Sequence, residues 1–270
     1  MFPLVMGVVN VTPDSFSDGG CFADPRDAVT HALELVAAGA DVVDVGGEST
    51  RPGADPVPFD EELRRVIPVV EALVGHVRVS IDTMKPAVAE AAVRAGATLV
   101  NDVSGSLDLA QVAAAHGVGW VCMHMQGSPR TMQQRPEYRD VVAEVTGFLA
   151  HQGAAARDLG VHEVWVDPGI GFGKTMAHNL ALLAHLPRLV DAGFPVLVGT
   201  SRKSFLGRLL AEADGGDAAP TPVDDRFEGS IATAAWALLH GASMVRVHDV
   251  AETVAARRAL VAPAPAGVSA

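Results

Sequence analysis

Charged and polar side chains recur along the sequence just after short runs of Val, Ile, Leu and Met. Among them are Arg51, Lys203, Arg246 and His248, which are cations or can become cations. Guanidinium and ammonium groups make charge-assisted hydrogen bonds to phosphate and carboxylate oxygens, so these residues predict an anion site. The full set of polar residues at these positions comprises Asn10, Glu48, Ser49, Thr50, Arg51, Asp82, Asn101, Asp102, His124, Asp167, Ser201, Arg202, Lys203, Arg246 and His248.

Two carboxylates and one amide in this set suit a different kind of ligand. Asp82, Asn101 and Asp167 together offer several hydrogen-bond acceptors and an amide donor. Such a group can recognise a flat heterocycle that carries N–H donors and N or O acceptors. Two structural alternatives stay open at this point: Asp167 pairs with Lys203, or the acids Asp82 and Asp102 only cap the next helix.

The elements that must bring these residues together are predicted by a repeat of about 34 residues, in which an apolar run precedes a helical pattern. The runs are continuously apolar, which is typical of parallel strands covered by helices. Eight alternations without a break in composition predict an α/β fold, a single (β/α)8 TIM barrel whose strand ends meet at one mouth. The predicted strands are 4–11, 41–45, 77–82, 98–102, 119–124, 163–167, 195–199 and 243–248.

Other segments are predicted from helix and loop signals. Residues 28–38, a segment beginning at Phe59, residues 88–95 and residues 225–240 have the pattern of helices. Residues 12–24 and 47–58 are rich in Gly, Pro and Ser, and we predict that they form long mobile loops after strands one and two. Residues 211–222 are predicted to be a surface insertion, and the domain is predicted to span 1–261 before a disordered tail at 262–270.

Composition excludes several classes of partner. The chain has 270 residues, with 20 Lys and Arg against 32 Asp and Glu, and a net charge of −12. This balance argues against nucleic acid and anionic membrane surfaces as partners, and no apolar run approaches the roughly 20 residues of a membrane span. The apolar N-terminus lacks a basic region and is predicted to be a strand, not a signal peptide. Cys21 and Cys122 are too few for a disulfide framework, which favours a reducing, cytoplasmic compartment.

The two histidines among the polar residues do not predict a metal cage built by the protein alone. His124 and His248 lack any HxxxH, HExxH or CxxC spacing around them. We therefore predict that His124 has a structural role and positions a loop.

Nine segments carry more specific motifs, including NVTPDSFSDGG, DVGGESTRPG and DPGIGFGK. They cover residues 6–20, 44–53, 80–83, 101–105, 123–127, 138–142, 167–174, 201–203 and 246–250. With these motifs in this order, the sequence closely resembles the dihydropteroate synthases of folate biosynthesis over nearly its whole length.

The resemblance implies a transferase that joins 4-aminobenzoate to (7,8-dihydropterin-6-yl)methyl diphosphate, releasing pyrophosphate and giving 7,8-dihydropteroate. It also implies Mg2+ as cofactor, a homodimer, and competition by sulfonamides with 4-aminobenzoate. The pterin would be held by Asp82, Asn101, Met123, Asp167, Phe172 and Lys203. The diphosphate would be held by Asn10, Arg246 and His248, with Asn10 also meeting the metal. The 4-aminobenzoate side would be formed by Phe16, Thr50, Arg51, Pro52, Phe172, Ser201 and Lys203.

The residue types fit a dissociative substitution at the pterin methylene. Arginine, a protonated histidine and Mg2+ would neutralise the departing diphosphate, and no nucleophile–base pair in the sequence demands a covalent intermediate. Two other functions stay open: a pterin-binding methyltransferase domain on the same kind of barrel, and a catalytically silent relative that uses the pterin slot as a sensor.

Overall fold

The computed structural model describes residues 2–12, 25–51, 53–213 and 220–261. Within these ranges eight parallel strands alternate with helices, which confirms the predicted (β/α)8 barrel. The strands are β1 (Leu4–Asn10), β2 (Val42–Gly46), β3 (Arg78–Asp82), β4 (Leu99–Asp102), β5 (Gly119–Met123), β6 (Val164–Asp167), β7 (Leu197–Val198) and β8 (Met244–Val247).

The strands follow the order β6-β5-β4-β3-β2-β1-β8-β7. The two end strands of this order meet through a single parallel bridge between Val166 and Val196, which closes the barrel. Inside it, a layer of buried side chains consists of Met6, Val42, Leu99, Val121, Trp165, Leu197 and Met244. Because Met6 precedes Asn10 by four residues along β1, this layer forms a floor beneath the carboxyl ends of the strands.

The helices cover the outside of the barrel, and their inward faces join a larger apolar cluster with the outer faces of the strands. They are α1 (Pro25–Ala37), α2 (Phe59–Leu73), α3 (Pro86–Ala95), α4 (Leu107–His116), α5 (Val141–Asp158), α6 (Met176–Ala184), α7 (Leu186–Val190), α8 (Ser204–Ala213), α9 (Phe227–Leu239) and α10 (Val250–Val261). None of these helices has the length and hydropathy needed to cross a membrane.

Local capping explains where several helices begin. Asp140 accepts hydrogen bonds from the backbone N–H groups of Val142 and Ala143 at the start of α5, and Thr175 caps α6 in the same way. Pro86 begins α3, where its missing N–H leaves no helical hydrogen bond unmade. These caps fix the points at which the loops around the mouth end.

The structure corrects several predicted boundaries. Strand β7 covers only two of the five predicted residues, and the helix predicted at 225–240 is a 3-10 turn (Val223–Asp225) followed by α9. The predicted start of the insertion at residue 211 is wrong, because α8 continues through a buried Ala211 to Ala213. Residues 13–24, residue 52, residues 214–219 and the predicted tail at 262–270 lie outside the described residues.

Candidate active site

The polar residues predicted from the sequence meet at the carboxyl end of the barrel. Asn10, Asp82, Met123 and Asp167 are the last residues of β1, β3, β5 and β6, and Asn101 is the penultimate residue of β4. In the strand register Asp82 lies opposite Gly46 on one side and Asn101 on the other. Parallel strands end on one rim, so the register alone places these side chains together.

A guanidinium group bridges two buried carboxylates in this mouth. Arg246 Nε donates to Asp44 Oδ2 at 2.6 Å, and its Nη2 donates to Asp82 Oδ2 at 2.9 Å. Burial raises the pKa of Asp82 to about 7, although the Arg246 charge acts in the opposite direction and the nearby Asp44 adds to the increase. Asp82 can therefore accept or donate a proton near neutral pH.

Asp44 also orients the amide of Asn101. Asn101 Nδ2 donates to Asp44 Oδ2 at 2.8 Å, which leaves the amide oxygen available to a ligand. The other carboxylate oxygens of Asp44 and Asp82 are buried and have no partner in the described part of the chain. Because a buried acceptor without a donor costs free energy, this part of the mouth favours a ligand that carries N–H groups.

The β6 and β7 sides of the mouth meet at Lys203. Its ammonium donates to the Ile170 carbonyl and lies 4.6 Å from the centroid of the Phe172 ring. Burial lowers the pKa of Lys203 to about 8, while Asp167 acts to raise it. Asp167 and Lys203 form no direct ion pair, and the Asp167 carboxylate instead accepts from the Gly169 N–H at 2.7 Å.

The pKa of Asp167 is nevertheless raised by burial, with Lys203 the largest opposing influence. The interaction of Asp167 with Lys203, which the sequence left open, is therefore electrostatic and does not involve direct contact.

Asp102, by contrast, has a structural role, because it accepts from the backbone N–H groups of Ser104, Gly105 and Ser106. These bonds stabilise the turn before α4, whose N-cap is Ser106, so Asp102 is not itself the cap of that helix.

Ser201 and His248 form a second polar pair. Ser201 Oγ lies 3.0 Å from His248 Nδ1 and accepts from the His248 backbone N–H at 3.2 Å. Burial, followed by the charges of Arg246 and Arg202, lowers the pKa of His248 to about 3. The ligand-free protein therefore favours the neutral ring, whereas the protonated histidine is predicted for the diphosphate complex and stays a prediction.

The loop after β2 contributes the most exposed part of the site. Arg51 is exposed, and its charge is one of those that lower the pKa of His248, so the two lie on the same side of the mouth. Thr50 is half-buried at the start of this loop. Glu48 anchors the loop by accepting from the Val57 N–H at 2.7 Å. Two other predicted site residues, Phe16 and Pro52, lie outside the described residues.

Known proteins match this chain over the segment that contains these site residues. A family model described as pterin binding enzyme matches residues 6–248. Dihydropteroate synthase of Escherichia coli K12 is 47% identical over 266 residues, which cover 96% of this chain and 91% of the relative. The chain belongs to the dihydropteroate synthase family.

Two solved structures extend this similarity to the fold. Dihydropteroate synthase of Xanthomonas albilineans with 4-aminobenzoic acid has a TM-score of 0.86 and 48% identity, covering 97% of this chain and 94% of that one. The enzyme of Thermus thermophilus in complex with 6HMPPP has a TM-score of 0.79 and 43% identity, covering 96% of this chain and 92% of that one. Members of the dihydropteroate synthase family are transferases, which identifies this chain as an enzyme.

The residues at the mouth of the barrel are compatible with a magnesium ion held together with substrate. The described residues contain no group of three His, Cys, Asp or Glu side chains able to form a metal cage. Asn10 is half-buried on the rim, and its amide makes no hydrogen bond within the described chain. Mg2+ usually keeps several waters and takes few protein ligands beside phosphate oxygens, so one amide oxygen is compatible with such a site.

Sequence reasoning missed Asp44, which touches both Asn101 and Arg246 and is fully buried. One signal was available, since Asp44 is the sole charged residue among the five residues of β2. Charged residues are seldom fully buried without a partner, so an acid within an apolar run indicates a polar contact inside the barrel.

Proposed function

We propose that this protein condenses 4-aminobenzoate with (7,8-dihydropterin-6-yl)methyl diphosphate and forms 7,8-dihydropteroate and pyrophosphate. The observation that carries the proposal is the adjacency of two sets of groups at one mouth. Buried acids and an amide suited to a heterocycle lie beside cations suited to a diphosphate. A domain that binds only a methylated pterin has no need of the second set.

In this proposal the pterin lies against Asp82, Asn101 and Asp167. The carboxylates accept ring N–H groups, and the Asn101 amide oxygen accepts another because its nitrogen is already bound to Asp44. The unpartnered oxygen of Asp82 supports this placement. Side chains that would line or close the slot are Met123, Phe172 and Lys203.

The diphosphate would contact Arg246, His248 and Asn10. Arg246 Nη1 makes no hydrogen bond within the described chain, so it can donate to an anion while the other nitrogens hold their carboxylates. The neutral His248 ring can donate from the nitrogen that Ser201 does not occupy. Bound Mg2+ would neutralise charge on the diphosphate, with Asn10 as its protein ligand.

The reaction follows from this placement. The bond between the pterin methylene and the diphosphate oxygen breaks, and pyrophosphate leaves with the electron pair. Asp82 and Asp167 stabilise the positive charge that spreads over the pterin. The neutral arylamine then forms the new C–N bond and gives up a proton to solvent or to pyrophosphate. The amine would approach from the side formed by Thr50, Arg51, Ser201, Phe172 and Lys203, together with Phe16 and Pro52.

Pyrophosphate release tests the overall reaction. Purified protein with Mg2+, the pterin diphosphate and 4-aminobenzoate is expected to release one pyrophosphate for each dihydropteroate formed. Omission of 4-aminobenzoate is the matched control. Failure to release pyrophosphate with both substrates present contradicts the proposal, whereas transfer of a methyl group from a methylated folate supports the methyltransferase alternative.

Isotope exchange tests the dissociative step. If the C–O bond breaks before the amine attacks, 18O placed in the bridging position of the diphosphate is expected to move to a non-bridging position without 4-aminobenzoate. The same preparation must turn over normally when 4-aminobenzoate is added. If it then shows no exchange without 4-aminobenzoate while pyrophosphate stays bound, the result argues for direct displacement.

Assembly and compartment complete the proposal. Helix α9 exposes Trp236 and Leu239, which are three residues apart on one face, the latter with 63% of its surface accessible, and such a face supports a homodimer. Light scattering tests this, because Leu239→Lys is expected to yield monomers if α9 is the interface.

We place the enzyme in the cytoplasm, where a thiol such as that of Cys122 stays reduced. Detection of the protein in a secreted or periplasmic fraction contradicts that placement.

A further inference from the structure

Lys174 ends the loop that follows β6 and is only 2% exposed. Its Nζ lies 3.0 Å from the carbonyl oxygens of Gly169 and Phe172, and 3.2 Å from that of His124. It also lies 3.0 Å from His124 Nδ1. No carboxylate in the described chain forms an ion pair with it. Lysine is almost never buried without such a partner, so the four neutral acceptors must account for its position.

These acceptors converge because the loops after β5 and β6 approach each other very closely. Gly169 has φ of +64°, and a Cβ at this position would lie 1.9 Å from the His124 carbonyl oxygen. Gly173, with φ of +60°, passes close to the Gln126 carbonyl in the same manner. Only glycine allows this approach. The buried carbonyls then need donors, and the ammonium of Lys174 supplies three.

The loop held in this way carries much of the proposed pterin slot. Asp167 begins it, the Ile170 carbonyl accepts from the Lys203 ammonium, and the Phe172 ring lies beneath that same ammonium. We propose that Lys174 is a positioning residue for the pterin slot, because its ammonium fixes the loop that presents Ile170 and Phe172 to Lys203. The inference rests on the proposed function, since it concerns how that slot is held in shape.

The protonation states of His124 and Lys174 are compatible with this geometry. Burial and the charge of Lys174 lower the pKa of His124 to about 3, so its ring is neutral and Nδ1 accepts while Nε2 carries the proton. Burial lowers the pKa of Lys174 itself to about 7, while Asp167 acts to raise it, and the amine form would still donate two hydrogen bonds. These contacts are compatible with the prediction that His124 has a structural or loop-positioning role. The Lys174 charge also lowers the pKa of Asp167, as does that of Lys203, so two lysines favour the ionised form of this carboxylate.

The test removes the ammonium and keeps an unbranched apolar side chain that is one atom shorter than lysine. Lys174→Met is expected to weaken binding of the pterin diphosphate, measured by calorimetry with Mg2+, by at least about tenfold, since hydrogen bonds to a charged group are lost. Its affinity for inorganic pyrophosphate with Mg2+ is expected to stay within about twofold, because Arg246, His248 and Asn10 do not contact the loop. A general loss of structure would weaken both ligands alike.

Lys85→Met is the matched control. Lys85 holds a different loop of the mouth through Glu48 at 2.6 Å and Glu62 at 2.5 Å. Its loss is expected to leave the affinity for the pterin diphosphate within about twofold of the wild type. If Lys174→Met does not fold, Lys174→Gln, which keeps two N–H donors, replaces it in the same pair of titrations.

Hydrogen exchange separates this inference from the proposed function. Backbone amides of residues 169–173 are expected to exchange faster in Lys174→Met than in the wild type, while those of β1 and β2 do not change. If the wild type binds no pterin diphosphate, the proposed function fails, and faster loop exchange still supports the role of Lys174 in shaping the loop. Wild-type affinity for both ligands, equal losses for both, or unchanged exchange at 169–173 would overturn the inference.

Discussion

Arg246 and Lys203 are two half-buried cations in the same mouth, and the barrel holds them in different ways. Arg246 lies between the carboxylates of Asp44 and Asp82, with ion pairs of 2.6 and 2.9 Å. Lys203 is held by a backbone carbonyl and an aromatic ring, and its influence on Asp167 acts without contact. The first cation is neutralised by the protein, whereas the second keeps an unpaired charge.

The two cations therefore differ in whether a ligand can change their protonation. The pKa of Arg246 is raised by its two carboxylates despite burial, so its charge is permanent. The pKa of Lys203 is lowered to about 8, so a ligand can change its protonation and take up its remaining donors. Removal of Arg246 should therefore disturb the folded state as well as diphosphate binding, whereas removal of Lys203 should disturb mainly the reaction.

The largest expected effect comes from Arg246→Met. It leaves the Asp44 and Asp82 carboxylates buried without their cation, and removal of one partner from a buried ion pair costs roughly 3–5 kcal/mol of unfolding free energy. Urea denaturation measures the loss, and Arg246→Lys, which keeps one charge, is expected to lose less. Wild-type stability of the methionine variant would show that Arg246 serves the ligand alone.

Lys203→Met is expected to reduce kcat/KM by about a hundredfold, because a charge-assisted bond to substrate is lost. The unfolding free energy is expected to change by less than about 1 kcal/mol, since no carboxylate loses a direct partner. The two quantities are measured on the same preparation. Equal losses of stability and activity would remove the distinction between the two cations.

The pH profile sharpens the comparison further. Lysine is protonated below its pKa, so if the ammonium form binds the pterin, Lys203 contributes no change in kcat/KM below about pH 8 and a fall of about tenfold per pH unit above it. Lys203→Arg is the control, since a guanidinium does not titrate in this range and should abolish that limb. A limb that persists in Lys203→Arg belongs to another group.

The smallest expected effect is that of Phe172→Leu. The ring lies 4.6 Å from the Lys203 ammonium, and a cation–π contact contributes about 0.5–2 kcal/mol. We expect the KM for the pterin diphosphate to rise by roughly threefold to thirtyfold, with little change in the stability held by Arg246. Phe172→Tyr keeps the aromatic face and should restore most of the affinity.

The barrel fold and the polar residues on its rim could be predicted from the sequence for a physical reason. Parallel strands impose one common end, so residues as far apart as Asn10 and Asp167 could be placed together from the repeat alone. The contacts within the rim depend on side-chain direction, which a repeat does not specify. Asp44 and Lys174 were missed for that reason, as were the contacts of Arg246 with two acids beside its proposed role in holding the diphosphate.

Closure of the barrel has a consequence for motion. Strands β1 and β2 are paired across five residues, whereas β6 and β7 meet at one bridge, between Val166 and Val196. Asp167 follows that bridge directly, and Lys203 lies beyond β7 on the other side. Local opening requires the least free energy where backbone hydrogen bonds are fewest, so the barrel should part here first. A ligand that contacts both sides would hold β6 and β7 together in place of the missing backbone hydrogen bonds. Catalysis would then take place beside the least stable strand pairing of the barrel.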